Sequence, residues 1–318
     1  MSLAGRIFQL SEREAFTLLS DFLRANRGEG ASLRELLSGR ETIVAPGAYD
    51  ALTARLVEQA GFPAVYMTGF GTAASLLGRP DVGLLTMSQM VDNARRIARA
   101  VDLPVIADAD TGYGNPLNVI HTVQEYERAG VSAIHIEDQI TPKKCGHMEN
   151  KQVISGAEMC EKIRAATEAR SSAEFLIIAR TDARAVEGLE SAMRRARSYR
   201  EAGADLLFVE APQSEDEVAE VARAFPDVPL LFNWAEGGKT PPMPLERLKE
   251  LGYRIIIFPI GALLMATQAV RKLLAEIREH GSPMGMAQEW ISFQEFNEMI
   301  GLPEIRQLEK RFSTKAGT

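Results

Sequence analysis

Two cysteines in 318 residues cannot build a disulfide framework, so nothing in the chain asks for an oxidising compartment. Positive charge is not in excess either. Against 36 Lys and Arg stand 43 Asp and Glu, a formal charge of −7, which argues against nucleic acid as the main partner. No apolar run approaches the ~18–20 residues of a membrane span, and Met1–Gly5 lacks the apolar stretch of a signal peptide. Met1-Ser2-Leu3 carries no functional signal. With 46% hydrophobic and 25% charged residues, the chain is not of disordered composition and is long enough to bury a large core. The expectation is a soluble, cytoplasmic protein, and most simply an enzyme that meets neither nucleic acid nor membrane.

What is present is a rhythm: a short β-branched run, a loop with Gly, Asp or Pro, then an amphipathic stretch. Strands are expected at Thr42–Ala45, Ala64–Thr68, Pro104–Ala107, Ala133–Glu137, Phe175–Ala179, Leu206–Val209, Pro229–Phe232 and Arg254–Phe258. Several are almost continuously apolar, as parallel strands buried on both faces are. Helical spacing falls between them, at Ala51–Ala60, Pro116–Ala129, Gly156–Ala169 and Leu189–Ala202. Gly61, Gly130 and Gly203 follow helix ends, where a left-handed residue closes the helix. Eight strand–helix units read as an α/β fold of the (β/α)8 barrel type. An open doubly wound sheet would need a glycine-rich phosphate loop after its first strand, and Ala45-Pro46-Gly47-Ala48 is not one.

The barrel is expected over residues 41–265. An N-terminal helical extension falls within residues 1–40, with Ser11–Arg40 helical, Ser11 as its cap and Glu14 in the capping-box position. A C-terminal helical arm is expected over residues 266–318: a helix over Ala262–His280 is broken by Gly281-Ser282-Pro283, and Ser292–Phe312 supplies two more helices. Helices added to a complete barrel must bury their apolar faces, and exchange with a neighbouring subunit does so, predicting a homo-oligomer.

Catalytic groups of barrel enzymes gather at the C-terminal ends of the strands. Asp108, Asp110, Glu137 and Glu210 fall at such ends. Each acid alone could merely cap a helix or pair with a lysine. Together they cannot all stay ionised at close range without a cation, and hard oxygen ligands suit Mg2+. The second feature is Lys143-Lys144-Cys145-Gly146-His147, in the loop after the fourth strand. Two lysines and a histidine around Cys145 should stabilise a thiolate, and Gly146 lets the backbone approach a ligand. Cys160, on a helix, reads as packing. A thiol nucleophile acting on an ester or amide would explain the loop and leave the acids unexplained; a general acid beside a metal site explains both.

From Glu41 to the C-terminus the chain resembles the isocitrate lyase/phosphoenolpyruvate mutase superfamily. Lys143-Lys144-Cys145-Gly146-His147 matches the catalytic loop of its lyase branch. Tyr66-Met67-Thr68-Gly69, Gly78-Arg79-Pro80-Asp81, Asp108-Ala109-Asp110-Thr111-Gly112, Ile136-Glu137-Asp138-Gln139, Ala179-Arg180-Thr181-Asp182-Ala183 and Val209-Glu210-Ala211-Pro212 match in order. The resemblance implies a Mg2+-dependent (alternatively Mn2+-dependent) cleavage of a carbon–carbon bond in a 2-hydroxy di- or tricarboxylate, giving pyruvate or glyoxylate and a carboxylate. It implies that Asp108 and Asp110 hold the metal with Glu137 in support, and that Cys145 protonates the departing carbanion. Lys143, Lys144 and His147 would stabilise substrate charge, and the Gly146 amide would receive a carboxylate. Tyr66, Thr68 and Gly69 would cradle the oxo acid, with Asp81 close to the metal. Arg180 would bind the leaving carboxylate, with Glu210 and Asn233 beside it, and the Lys143–Asn150 loop would act as a gate. A tetramer is the expected assembly.

Within the superfamily, Asn233-Trp234-Ala235-Glu236-Gly237-Gly238-Lys239-Thr240-Pro241 is similar to the malate-derivative lyases, the plant petal death protein and carboxyphosphonoenolpyruvate mutase. This points to substituted (2R)-malates such as 2,3-dimethylmalate. Phe70, where methylisocitrate lyases show glycine, points the same way, and the Trp234 indole is expected to reshape the pocket. The alternatives are 2-methylisocitrate lyase, oxaloacetate hydrolase, carboxyphosphonoenolpyruvate mutase and a non-enzymatic barrel.

Overall fold

The computed structural model describes residues 30–313. Those up to Ala266 form one compact unit and those from Thr267 onward belong to a second. In the first, eight strands run β1 Ile43–Ala48, β2 Val65–Met67, β3 Val105–Asp108, β4 Ala133–Glu137, β5 Leu176–Thr181, β6 Leu206–Val209, β7 Leu231–Asn233 and β8 Ile255–Phe258. They lie in the order β6-β5-β4-β3-β2-β1-β8-β7 with every ladder parallel. The two ends of that order meet at a parallel bridge, Leu207 to Leu230, where Leu207 N donates to Pro229 O at 3.1 Å. The sheet is a (β/α)8 barrel, closed at its last seam by little more than this bridge.

The near-continuous apolar strands follow from burial on both faces. Inward positions such as Ile43, Ile106, Ile178, Phe208, Leu231 and Ile257 form the barrel interior, while Ile134, Ile177, Ala179 and Leu207 pack under the helices. A short helix, Leu33–Ser38, lies at the N-terminal ends of the strands. Its Ser32 and Glu35 form a capping box, and Leu33 is buried in the interior cluster. Burying one such leucine is worth about 1.5–3 kcal/mol. The bottom of the barrel is closed by this apolar packing, with an ion-pair cluster around it in which Asp205 holds Arg34 at 3.2 Å and Arg170 at 2.5 Å.

Each expected strand is present, with ends moved by a few residues; β1 runs on through Pro46-Gly47 to Ala48. Gly61, Gly130 and Gly203 adopt φ of 81°, 91° and 110°, the left-handed closures that their positions after helices predict. Of the expected Ser11–Arg40 helix, Leu33–Ser38 is helical, and Ser11 and Glu14 lie outside the described residues. The second unit contains the helix end at His280, the break at Gly281 (φ 66°), and helices Phe293–Met299 and Leu302–Phe312. Among the described residues no helix is long and apolar enough to cross a membrane.

Candidate active site

A cavity of about 230 Å³ opens at the C-terminal ends of the strands. Of the residues singled out by sequence, Tyr66, Thr68, Asp81, Asp108, Lys143, Cys145, Gly146, His147, Arg180, Glu210 and Asn233 line it. Gly69, Asp110, Glu137 and Lys144 do not. Thr68 caps the helix Gly69–Leu77 through its hydroxyl, and Gly69 leaves room for Asp108: a Cβ there would lie 2.8 Å from Asp108 Cγ.

The acidic floor is built by β3 and its loop. Asp108 Oδ1 accepts from the Asp110 amide at 2.9 Å, a turn that places Asp110 at φ 48°. Tyr126 OH holds the Asp108 carbonyl at 2.9 Å, and Lys162 Nζ holds the Thr111 carbonyl at 3.1 Å. Lys143 Nζ sits 2.6 Å from Asp81 Oδ2 and 2.7 Å from Asp110 Oδ1, the latter contact being an ion pair without a well-directed hydrogen bond. Burial alone would raise the Asp108 carboxyl, but His135, Lys143, Arg180 and the Asp110 amide bring it below its ordinary value. Asp110 goes the other way, pushed up to about 6 by burial and by the neighbouring Asp108 and Asp81 carboxylates, against Lys143.

The opposite wall is built on Arg180. Its Nε reaches Asp182 Oδ2 at 2.9 Å and Glu137 Oε2 at 3.2 Å, its Nη2 lies 3.4 Å from Glu210 Oε2, and its guanidinium stacks over Phe208. Burial pushes Glu137 well above the ordinary carboxylate value, with Asp182 and Asp108 adding to it. Its Oε1 accepts from Gln139 Nε2 at 3.0 Å, so Glu137 braces the wall behind the cavity. Glu210 is buried, yet Arg180 and His147 hold it well below its ordinary value. His147 Nδ1 accepts from the Lys239 amide at 3.0 Å, leaving Nε2 as the nitrogen that carries a proton toward Glu210 Oε1, 3.0 Å away.

Cys145 stands at the rim, its amide donating to the Asp81 carbonyl at 3.2 Å. Burial pushes its thiol up to about 11, so at neutral pH it carries its proton. The expected thiolate environment is absent for a geometric reason. Lys143 is spent on Asp81 and Asp110, Lys144 Nζ turns away to the Asn150 carbonyl at 3.0 Å, and the His147 proton faces Glu210. Lys144 contributes through its backbone, exchanging hydrogen bonds with Gln139 at 3.0 and 2.7 Å. Gly146 is required by crowding, since a Cβ would lie 2.7 Å from Glu210 Cδ. Trp234 also departs from expectation: its indole donates to the Met243 carbonyl at 2.9 Å, packs on Phe258 and does not line the cavity. Phe70 does line it.

Sequence reasoning missed the supports. His135, inside the barrel on β4, bonds Tyr66 OH through Nε2 at 2.9 Å, and burial depresses it to about 4, keeping it neutral. Asp138, Lys151 and Asp182 form a buried network behind Arg180. Asp138 and Asp182 lie inside the matching stretches after β4 and β5 without a role being assigned to them, and Lys151, far along the loop, had no sequence signal. Among the described residues no three His, Cys, Asp or Glu are disposed as a metal cage. Mg2+ does not need one, because it takes one or two carboxylates and keeps its waters. Asp108, with Oδ2 free of hydrogen bonds on the cavity floor, and Asp110, with a buried Oδ1 lacking one, fit that demand.

A family model described as phosphoenolpyruvate phosphomutase matches residues 33–278. The 2,3-dimethylmalate lyase of Eubacterium barkeri is 47% identical over 284 residues, covering 89% of this chain and 98% of that protein. The 2-methylisocitrate lyase of Aeropyrum pernix is 45% identical, covering 90% and 92%. A solved structure of oxaloacetate acetylhydrolase with 3,3-difluorooxalacetate superposes with a TM-score of 0.85 at 40% identity, covering 90% and 97%. Phosphonopyruvate hydrolase, solved with oxalate and Mg2+, gives a TM-score of 0.81 at 35% identity, covering 88% and 97%. The chain belongs to the phosphoenolpyruvate mutase/isocitrate lyase superfamily, in its carbon–carbon lyase branch.

Proposed function

We propose that the chain is a Mg2+-dependent lyase that cleaves a substituted (2R)-malate, of the 2,3-dimethylmalate type, into a 2-oxo acid and a carboxylate. The observation that carries this reading is the placement of the Cys145 thiol at one cavity with Asp108 on its floor and Arg180 on its wall, where burial favours the protonated thiol. Asp108 and Asp110 would hold Mg2+, which when bound supplies a positive centre for the 2-hydroxy carboxylate and the oxo acid it becomes. Tyr66 and Thr68 orient that end of the substrate. Arg180, Asn233 and the Gly146 amide receive the other carboxylate.

The bond that breaks joins C2 to C3. The hydroxyl proton passes to the acidic floor, the C2–O bond becomes a carbonyl, and the C2–C3 electron pair moves into the enediolate of the leaving fragment. Cys145 gives its proton to C3, and after product release the floor gives up the hydroxyl proton to solvent while the thiolate takes one back, so that both groups are reset. Lys143, within the acidic cluster, and His147, turned toward Glu210, fix the charge around this exchange. Closure of the Lys143–Asn150 loop excludes water that would otherwise quench the carbanion. Phe70 on the cavity wall favours an apolar substituent over a third carboxylate. The exposed Leu264, Met265, Val270, Leu274 and Ile277 on the helix Gly261–His280 support assembly as a homo-oligomer, a tetramer in this reading.

The test is an assay with and without Mg2+ or Mn2+ on 2,3-dimethylmalate, 2-methylisocitrate, isocitrate, oxaloacetate and phosphonopyruvate. The highest kcat/KM is expected on 2,3-dimethylmalate. A preference for oxaloacetate or phosphonopyruvate would overturn the lyase reading, and one for 2-methylisocitrate would overturn the choice of substrate.

A further inference from the structure

We infer that Lys151 is a positioning residue that locks the Cys145 loop to the barrel, because its amine lies buried between the Gly146 carbonyl and the Asp182 carboxylate. The Lys151 side chain is 1% exposed, with Nζ 2.6 Å from Asp182 Oδ1 and donating also to Gly146 O. An ammonium at that depth is costly unless it is fully partnered, so its place there is explained by what it joins.

Three parts of the fold meet at this nitrogen. The loop closes at a neck, where Gln139 bridges Val153 antiparallel and Ile154 N donates to the Asp138 carbonyl at 2.9 Å; Lys151 leaves from that neck. The second part is the loop tip, reached at Gly146, next to Cys145. The third is Asp182, which is itself immobilised: Arg180 Nε holds one of its oxygens at 2.9 Å and Nη2 the other at 3.2 Å, and its amide donates to Asp138 Oδ1 at 2.8 Å. Asp138 in turn accepts from Thr181 Oγ1 at 2.8 Å and Tyr199 OH at 2.7 Å. One amine thus sets the height of the Cys145 rim relative to the Arg180 wall. Lys151 does not line the cavity and needs no contact with substrate. Its effect on turnover rests on the role proposed above for Cys145; its effect on the loop does not.

The two thiols provide the test, with Cys160, packed on the barrel helices and donating to the Ser198 carbonyl at 3.5 Å, as an internal control. Folded wild type, Lys151→Met and the charge-balanced Lys151→Met/Asp182→Asn are treated with iodoacetamide without substrate, and each thiol is followed by peptide mass mapping. Release of the loop should speed Cys145 alkylation on the order of 10-fold or more in both variants with Cys160 unchanged. On a substrate the wild type cleaves, kcat should fall more than KM rises. Unchanged Cys145 alkylation in the variants, or a parallel rise at both thiols as in general unfolding, overturns the inference. Because alkylation uses no substrate, it stands or fails separately from the assigned reaction.

Discussion

Adding a single methyl group at Gly146 probes how closely the loop must approach the wall. A Cβ on Gly146 would lie 2.7 Å from Glu210 Cδ and 2.8 Å from Glu210 Cγ, with Arg180 Nη2 nearer still. Carbon atoms rest at about 3.5–4.0 Å, so roughly 1 Å must be found. Glu210 cannot supply it: it is buried, held by Arg180 and His147, and flanked by Asn233 Nδ2 at 3.3 Å. Arg180 is fixed by Asp182 and Glu137. The loop must therefore lift, carrying Cys145 with it and stretching the bond from Lys151. A misplacement of about 1 Å at a reacting group costs on the order of 10²-fold, so Gly146→Ala should lose about that factor in kcat/KM. The assay is steady-state kinetics on the best substrate, with a thermal melt and circular dichroism to show that the barrel is intact. Wild-type kcat/KM in a folded Gly146→Ala protein would refute the reasoning, since it would mean that the loop has slack where the structure shows none.

Three further outcomes are expected. Chelation should abolish turnover and Asp108→Asn should weaken Mg2+ binding in calorimetry; turnover that survives exhaustive chelation would remove the metal from the account. With Asp110 pushed up to about 6, its proton competes with the ion below that pH, so apparent Mg2+ affinity should fall as pH drops through about 6, with proton release on binding in that range; a flat profile from pH 5 to 8 would contradict it. Phe70→Gly should enlarge the cavity and shift kcat/KM toward 2-methylisocitrate by about 10–200-fold relative to 2,3-dimethylmalate, the scale set by small apolar groups in a pocket; an unchanged ratio would exclude Phe70 as a selector.

The barrel was legible because the strands that bury both faces are written as apolar runs, β6 and β8 above all, and because glycine after a helix has one main structural use, as at Gly130 and Gly203. The acids at Asp108 and Glu210 were legible from their place at strand ends. Side-chain direction was not. Lys143 and Lys144 are adjacent and chemically alike, yet one enters the acidic cluster and the other reaches back to Asn150, a choice made by the loop's course and by Gln139. The same course spends the cations around Cys145, so a loop rich in positive charge holds a thiol and not a thiolate. Trp234 turns outward because Met243 O offers its indole a partner nine residues along. His135 sits between Ile134 and Ile136 in its strand, and only the fold brings Tyr66 to it.

The central claim is that the Cys145 thiol delivers the proton that ends carbon–carbon cleavage. The direct measurement is steady-state release of the carboxylate product from 2,3-dimethylmalate by wild type and Cys145→Ser with Mg2+ present, both proteins shown to be folded and to bind substrate. The wild type should cleave, and the serine variant should be slower by about 10²–10⁴-fold, the usual contribution of a placed general acid. Equal rates in the two proteins would contradict the account.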